Sequence, residues 1–160
     1  SLILLFSVCA LAQTANPCEN AEIKAFDFQI GVWQTEDGKE VHEIKKALGD
    51  CVIQEIWRTD GKDSAVAVKS FDLGKHNAKG EQKWVYSWIA VGYHQLWEGR
   101  KENGQWRFYR EWFWEGQTVL SRTYWNQLAD GGIDRIVEQS RDGGKTWKPH
   151  VKVKFVRKKV

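Results

Sequence analysis

The stretch QWRFYREWFWE, residues 105–115, decides the fold class because four of its five even positions carry aromatic side chains. Its even positions are all aromatic except Arg110, whereas its odd positions mix aromatic and charged residues. A period of two is typical of a β-strand with one buried face, so we predict a strand whose even positions point inward. The whole chain of 160 residues contains 10 Trp, 7 Phe and 4 Tyr but only 2 Pro, which also favours strands.

Turn signals that contain glycine recur at short, even intervals along the rest of the chain. They separate ten predicted strands, at residues 31–36, 39–48, 51–59, 64–71, 82–90, 93–101, 105–115, 117–128, 133–140 and 147–157. The connections are too short for crossover helices, so strands that follow each other in sequence must pair antiparallel. We predict an all-β, single up-and-down barrel, because closure removes the two exposed edges of an open sheet.

The first twelve residues form an apolar run that ends in the sequence ALA. This run is too short to span a bilayer, and its small-residue end is typical of a secretory signal peptide. We predict cleavage after Ala12 and a secreted or periplasmic protein without a membrane span.

The mature chain is predicted to have two parts. Residues 13–30 form a plug segment, with a short helix that starts at Asn16 and Pro17. Residues 31–160 form the barrel. The plug is expected to cover one barrel end.

Two cysteines remain after signal removal, Cys18 and Cys51. An even count in an oxidising compartment predicts a disulfide. The bond closes a loop of 33 residues, which stabilises a fold by roughly 3 to 4 kcal/mol in the chain-entropy model. No cluster of candidate ligands accompanies these cysteines, so neither a metal site nor a catalytic thiol is expected.

Two motifs frame the barrel, FDFQIGVW at residues 26–33 and SRDGGKTW at residues 140–147. Between them lie Cys51, Glu55-x-Trp57, Trp84, Trp88 and Arg122-x-x-Trp125. Together these features resemble a family of secreted, lipocalin-like (calycin-type) domains that has no established activity. The resemblance implies a lipocalin-like barrel over the whole mature chain, with structural roles for Gly31, Trp33, Asp142 and Trp147. Tyr86 and Ala90 depart from the pattern, which has Gln and Asp there; if those polar residues contact a ligand, this chain binds a different one.

The second motif also matches the Asp-box turn of sialidases. That turn repeats once per propeller blade, whereas it occurs once here. We therefore interpret it as a structural turn, in which Asp142 and Thr146 bond the loop backbone and Trp147 packs beneath.

Arg110 is the main functional candidate because its strand places a guanidinium among aromatic rings. A buried charge must be paired or must bind an anion. Glu55 is its predicted partner, and Arg122 is a further candidate for the lumen. The pair either fixes the strand register or forms a head-group site in an aromatic cavity. The predicted cavity walls are Trp57, Trp84, Trp88 and Trp112.

These residues predict a binding protein for a small, partly apolar ligand that carries an anionic group, with Glu55, Arg110 and Arg122 as polar anchors. One alternative is an isomerase, cyclase or hydrolase that uses Glu55 or His94 in the same cavity. The other is a surface module in which Tyr109 and Phe113 meet a glycan or a second subunit.

Several partners are not expected. The net charge is only +3, and the basic residues near the C-terminus alternate with apolar ones, so no nucleic acid is expected. His150 falls on the wet face of the last strand, so haem is not expected either. We expect no other cofactor or metal, and a monomer or a weak homodimer.

Overall fold

The computed structural model describes residues 17–159. Its ten strands are β1 (Gly31–Thr35), β2 (Glu40–Ala47), β3 (Val52–Thr59), β4 (Lys62–Asp72), β5 (Lys83–Ala90), β6 (Tyr93–Glu102), β7 (Gln105–Trp114), β8 (Gln117–Gln127), β9 (Ile133–Ser140) and β10 (Lys148–Arg157). Consecutive strands pair antiparallel, and β1 also pairs with β10, so the sheet closes into a barrel. The predicted fold class is confirmed, and each predicted strand is found. The predicted signal peptide lies outside the described residues.

The described part of the plug segment, residues 17–30, contains three short 3-10 helices, Pro17–Glu19, Ala21–Lys24 and Asp27–Gln29, and the predicted helix start at Asn16 lies outside it. The Asn20 side chain caps the second helix by accepting a hydrogen bond from the Glu22 backbone N–H at 2.9 Å. No helix in this described part of the chain is long and apolar enough to cross a membrane.

The predicted disulfide is present. It joins Cys18 in the first helix to Cys51 in the turn before β3, with 4.8 Å between the Cα atoms. The plug is therefore tied covalently to the barrel wall.

The plug end of the barrel is sealed by aromatic packing. Trp33 is 3% exposed, and its Nε1 donates to the Gln29 carbonyl oxygen at 2.7 Å. Phe26 reaches in from the plug and contacts the rings of Trp84 and Phe108, at centroid distances of 5.1 and 5.4 Å. Trp33 therefore lies in the floor of the barrel, beneath the plug.

Gly31, at the start of β1, has a backbone conformation that favours glycine. Its φ of +134° is one that other residues rarely adopt. A side chain there would also collide with the guanidinium of Arg157, which donates to the Ile30 carbonyl oxygen at 2.7 Å.

The inner face of β7 agrees with its sequence pattern. Trp106 and Phe108 are buried, and Arg110 points into the lumen. In β4 the two valines instead lie outside: Val66 and Val68 are exposed, whereas Ala65 and Ala67 are buried.

The ladder between β6 and β7 is incomplete. It pairs Glu98–Glu102 with Gln105–Tyr109 and then stops. Residues 93–97 still pair with β5, and residues 110–114 still pair with β8. Within the described chain these two half-strands are not paired with each other, and we call them the β6–β7 seam. The seam lies at the end of the barrel opposite the plug, which we call the open end.

The β9–β10 hairpin has the predicted Asp-box interactions. Asp142 accepts hydrogen bonds from the backbone N–H of Thr146 at 2.9 Å and from its hydroxyl at 2.6 Å. These bonds, with one from the Ser140 hydroxyl, hold the pKa of Asp142 far below its usual value. Trp147 packs edge-on against Tyr109, at a centroid distance of 5.8 Å. The motif is a turn that fixes the hairpin.

Candidate functional site

A cavity of about 260 Å³ lies at the open end. One wall is aromatic and consists of Tyr93, Trp97 and Trp112 from β6 and β7. The opposite wall is aliphatic and is formed by Val137 and Val151. The cavity is therefore a slot that fits a partly apolar molecule.

The polar residues of this cavity are Gln95, Arg110, Ser121, Arg135, Gln139 and His150. Within residues 17–159, no aspartate or glutamate lines it. Its charge is therefore positive.

The Arg110 guanidinium is stacked on the aromatic wall. Its Cζ atom lies 4.8 Å from the centroid of Trp97 and 5.0 Å from that of Trp112. Burial lowers the pKa of Arg110, although a hydrogen bond to Tyr93 opposes this shift. The Arg110 Nε atom is buried and has no hydrogen-bond partner within the described chain.

Arg135 supplies a second cation on the β9 side. Its Cζ atom lies 4.9 Å from the centroid of Trp57, and its Nε atom is likewise buried without a partner in the described residues. The pKa of Glu40 is lowered, first by a hydrogen bond from His42 and, more weakly, by the charge of Arg135. Arg135 is thus only partly compensated, through space.

Neither arginine of the cavity forms an ion pair with another described residue. Among residues 17–159, no carboxylate oxygen lies within 4.0 Å of the side-chain nitrogens of Arg110 or Arg135. The guanidinium groups of both arginines therefore line the slot without a carboxylate partner in the described residues.

Two tryptophans orient neutral donors toward the same slot. Trp112 Nε1 donates to the Ser121 hydroxyl oxygen at 2.9 Å, and Trp97 Nε1 donates to the Gln95 amide oxygen at 3.2 Å. Both bonds use an acceptor atom, so the Ser121 O–H and the Gln95 amide N–H groups remain as donors. The slot thus offers donors of several kinds beside its two cations.

Glu55 does not pair with Arg110, so that prediction is wrong. Glu55 is 1% exposed and accepts hydrogen bonds from Lys69 Nζ and, at 2.9 Å, from Trp57 Nε1. Lys69 also donates to the Gln29 side-chain oxygen at 2.6 Å, which links this buried pair to the plug. Burial disfavours the charged form of Glu55, but the Lys69 ammonium outweighs it and lowers the Glu55 pKa.

Arg122 does not face the lumen, so that prediction is also wrong. On β8, the residues on either side of it, Ser121 and Thr123, are buried, and Arg122 therefore points outward. It donates to Glu138 at 2.6 Å and lies over the Trp147 ring, 4.3 Å from its centroid.

The four predicted aromatic walls divide between the two ends of the barrel. Trp112 lines the cavity. Trp57 and Trp88 contact each other at a centroid distance of 5.7 Å, and the Arg135 guanidinium stacks on the Trp57 ring. Trp84 instead belongs to the plug end, where it is fully buried and its Nε1 donates to the Glu22 carbonyl oxygen at 3.1 Å.

His94 lies outside the barrel lumen, whereas His150 lies closer to the cavity than its position on the outer face predicts. His94 is exposed and bonds the Ser87 hydroxyl at 2.9 Å on the outer face, so it does not share a cavity with Glu55. His150 is exposed, as predicted, but the β10 register shifts between Pro149 and Val151, and His150 lies at the mouth of the cavity.

Sequence reasoning missed Arg135 and Lys69. Arg135 has Ile133 and Val137 two positions away on either side, and this alternation could have identified it as inward-facing. Lys69 gives a weaker signal, because only Phe71 among the inward residues of β4 is large, and the valines of that strand face outward.

The fold and the site together define a closed ten-stranded β-barrel with a cationic, aromatic-walled slot at one end. Comparison with models of known protein families, with curated proteins and with solved structures finds no match.

Proposed function

We propose that this chain is a secreted or periplasmic, lipocalin-like binding protein whose ligand is small, partly apolar and anionic. The observation that carries the proposal is the pair Arg110 and Arg135, two cations that line one cavity without an ion-pair partner in the described chain. The ligand's anionic group lies against these guanidinium groups, and its apolar part packs on Trp112 and Val151.

The energetics support a ligand rather than a purely structural role. A partly buried guanidinium costs free energy unless a hydrogen-bonded anion compensates it. The buried Glu55 and Lys69 show how this protein compensates charges that serve only the fold. Arg110 stacks on aromatic rings but has no carboxylate partner among residues 17–159, which is typical of a charge that a bound ligand compensates.

The size of the cavity limits the ligand. Small-molecule sites in proteins usually measure about 300 to 1,000 Å³. The slot of about 260 Å³ lies just below this range. The ligand is accordingly a compact molecule, or one end of a longer molecule that leaves through the mouth.

The disulfide supports an oxidising compartment, because such bonds persist mainly outside the cytosol. The enzyme alternative has less support. Glu55 is buried in an ion pair with Lys69, and His94 lies on the outer face of the barrel wall, away from Glu55. A binding function needs neither residue.

Native mass spectrometry of the protein purified from its host tests this proposal. We expect a bound species that is released on denaturation and detected as an anion, with a mass of a few hundred daltons if it is a compact molecule and a larger mass if only one of its ends enters the slot. The double variant Arg110→Ala/Arg135→Ala is expected to lose it, whereas Arg122→Ala, which removes an outward-facing arginine, is expected to keep it. An uncharged species, or equal retention by the double variant, would overturn the proposal.

A further inference from the structure

The β6–β7 seam exposes apolar side chains where a strand edge is usually protected. Leu96 is 56% exposed, Phe113 is 71% exposed, and Tyr93 and Trp114 are each about half exposed. Proteins normally cover such edges or place charges and prolines on them, because unpaired backbone groups recruit other strands. The seam has little of this protection. In the two half-strands, residues 93–97 and 110–114, only Glu111 places a negative charge on the outer face.

The seam also connects with the cationic slot. Arg110 lines the slot inside the barrel, and it also lines a groove on the outer surface beside Leu96 and Glu111. The same residue is therefore reached from both sides of the wall where the ladder is missing. A ligand at Arg110 can extend along the unpaired strand edges.

We propose that the ligand is the C-terminal end of an extended peptide, whose terminal carboxylate binds Arg110 and Arg135 and whose backbone hydrogen-bonds the seam. This inference rests on the proposed function of the slot. An extended peptide is the class of ligand that supplies both an anionic group and a row of backbone donors and acceptors. Each half-strand has five residues, so at about 3.3 Å per residue the seam offers roughly 16 Å of edge, enough for about four or five peptide residues.

The side chains at the seam are consistent with limited sequence specificity. Side chains of a strand alternate between two faces, so every second peptide residue would meet Leu96 and Phe113 outside the barrel. Its other side chains would meet Trp112 or Gln95 inside. The carboxylate and the backbone would thus provide most of the affinity, and apolar side chains would add to it.

Binding of a peptide mixture tests the inference. The probe is an equimolar mixture of N-acetylated tetrapeptides built from Leu, Val, Phe and Thr, with free C-termini, measured by affinity selection and mass spectrometry. The first control is the same mixture with C-terminal amides, and the second is phenylacetate, which carries a carboxylate but no peptide backbone. We expect amidation to weaken binding at least about tenfold, because a charge-assisted bond to arginine is lost. Phenylacetate is expected to bind more weakly than the free acids.

Hydrogen exchange and two matched variants locate the bound backbone. The free-acid peptides should slow amide exchange in residues 93–97 and 110–114 but not in β3. Leu96→Lys places a charge on the seam and should weaken peptide binding, whereas Val68→Lys, at an exposed position that pairs with both β3 and β5, should not.

The possible outcomes are distinct. If phenylacetate binds and the peptides bind no tighter, the inference is wrong and the proposed function stands. If no probe binds, the inference is wrong, and the native mass spectrum decides separately about the proposed function. Concentration-dependent dimerisation that Leu96→Lys abolishes, without peptide binding, would assign the seam to a second copy of this chain and would also overturn the inference.

Discussion

The two ends of this barrel are built from the same ten strands but differ in how far their rings are buried and their charges are paired. At the plug end, the aromatic rings of Phe26, Trp33 and Phe108 are buried, and the charge of Lys69 is paired with Glu55. At the open end, the wall is unpaired along the β6–β7 seam, and Arg110 has no carboxylate partner within residues 17–159.

The difference indicates a division between stability and binding. Regions with few buried contacts and unpaired strand edges open at low free-energy cost, and ligand sites are often found there. The plug end therefore maintains the fold, and the open end can keep groups that are satisfied only when a ligand is present.

The largest expected effect is at the barrel floor. Trp33→Ala should lower the free energy of unfolding by about 3 to 5 kcal/mol, because it removes a large buried ring and a hydrogen bond to the plug. Trp112→Ala, at the open end, should cost no more than about 1.5 kcal/mol, because that ring is only partly buried. Urea unfolding measures both. Equal losses would contradict the division between the two ends.

The buried ion pair should give a comparable effect. Lys69→Met leaves the Glu55 carboxylate unpaired in the core and should cost about 3 to 5 kcal/mol. The double variant Lys69→Met/Glu55→Gln should recover much of this loss. Thermal unfolding of the two variants measures the recovery, and a double variant no more stable than the single one would show that the pair is not the source of the loss.

Loss of the disulfide should cost slightly less. The bond closes a loop of 33 residues, so Cys51→Ser should reduce the free energy of unfolding by roughly 3 to 4 kcal/mol. The plug should also become sensitive to protease near residues 21–25, and limited proteolysis would detect this. A cleavage pattern unchanged from that of the oxidised protein would mean that the plug is held without the disulfide.

The Glu55 carboxylate should also make the stability depend on pH. Its folded-state pKa lies below the usual 4.5, so its stabilising contribution is present above pH 4.5 and is lost as the pH falls through the folded-state pKa. The difference in unfolding free energy between the wild type and Glu55→Gln should therefore be greatest at neutral pH and shrink in acid. A constant difference between pH 7 and pH 3 would contradict an ionised Glu55.

The smallest effect on stability is expected at the proposed site. Arg110→Met removes a cation that has no ion-pair partner in the described part of the chain, so the free energy of unfolding should change by less than about 1 kcal/mol. Ligand affinity should nevertheless fall. Chemical denaturation and a binding assay on the same preparation separate the two quantities. A loss of several kcal/mol would reveal a structural partner for Arg110.

The sequence predicted the fold well because its signals are local. Turns that contain glycine mark each strand end, and the alternation in residues 105–115 placed Arg110 inside correctly. The even cysteine count likewise predicted the disulfide, and the opening motif predicted a structural role for Trp33.

The partner of Glu55 was not predicted, because the sequence did not identify Lys69 as an inward-facing residue. Lys69 reaches Glu55 from an adjacent strand where alternation is weak, since alanines face inward and valines outward. The β10 irregularity that moves His150 to the cavity mouth leaves no clear signal in the sequence. The seam is likewise invisible, because residues 93–97 and 110–114 have ordinary strand sequences.

The most direct test of the anion site is a titration followed by NMR at the arginine side chains. Phenylacetate added to the ligand-free protein should shift the Nε–Hε resonances of Arg110 and Arg135, because those buried donors lack partners in the described chain. The resonance of Arg122, which already donates to Glu138, should not move. Shifts of equal size at all three arginines, or none at Arg110 and Arg135 up to saturating probe, would contradict an anion-binding slot at the open end.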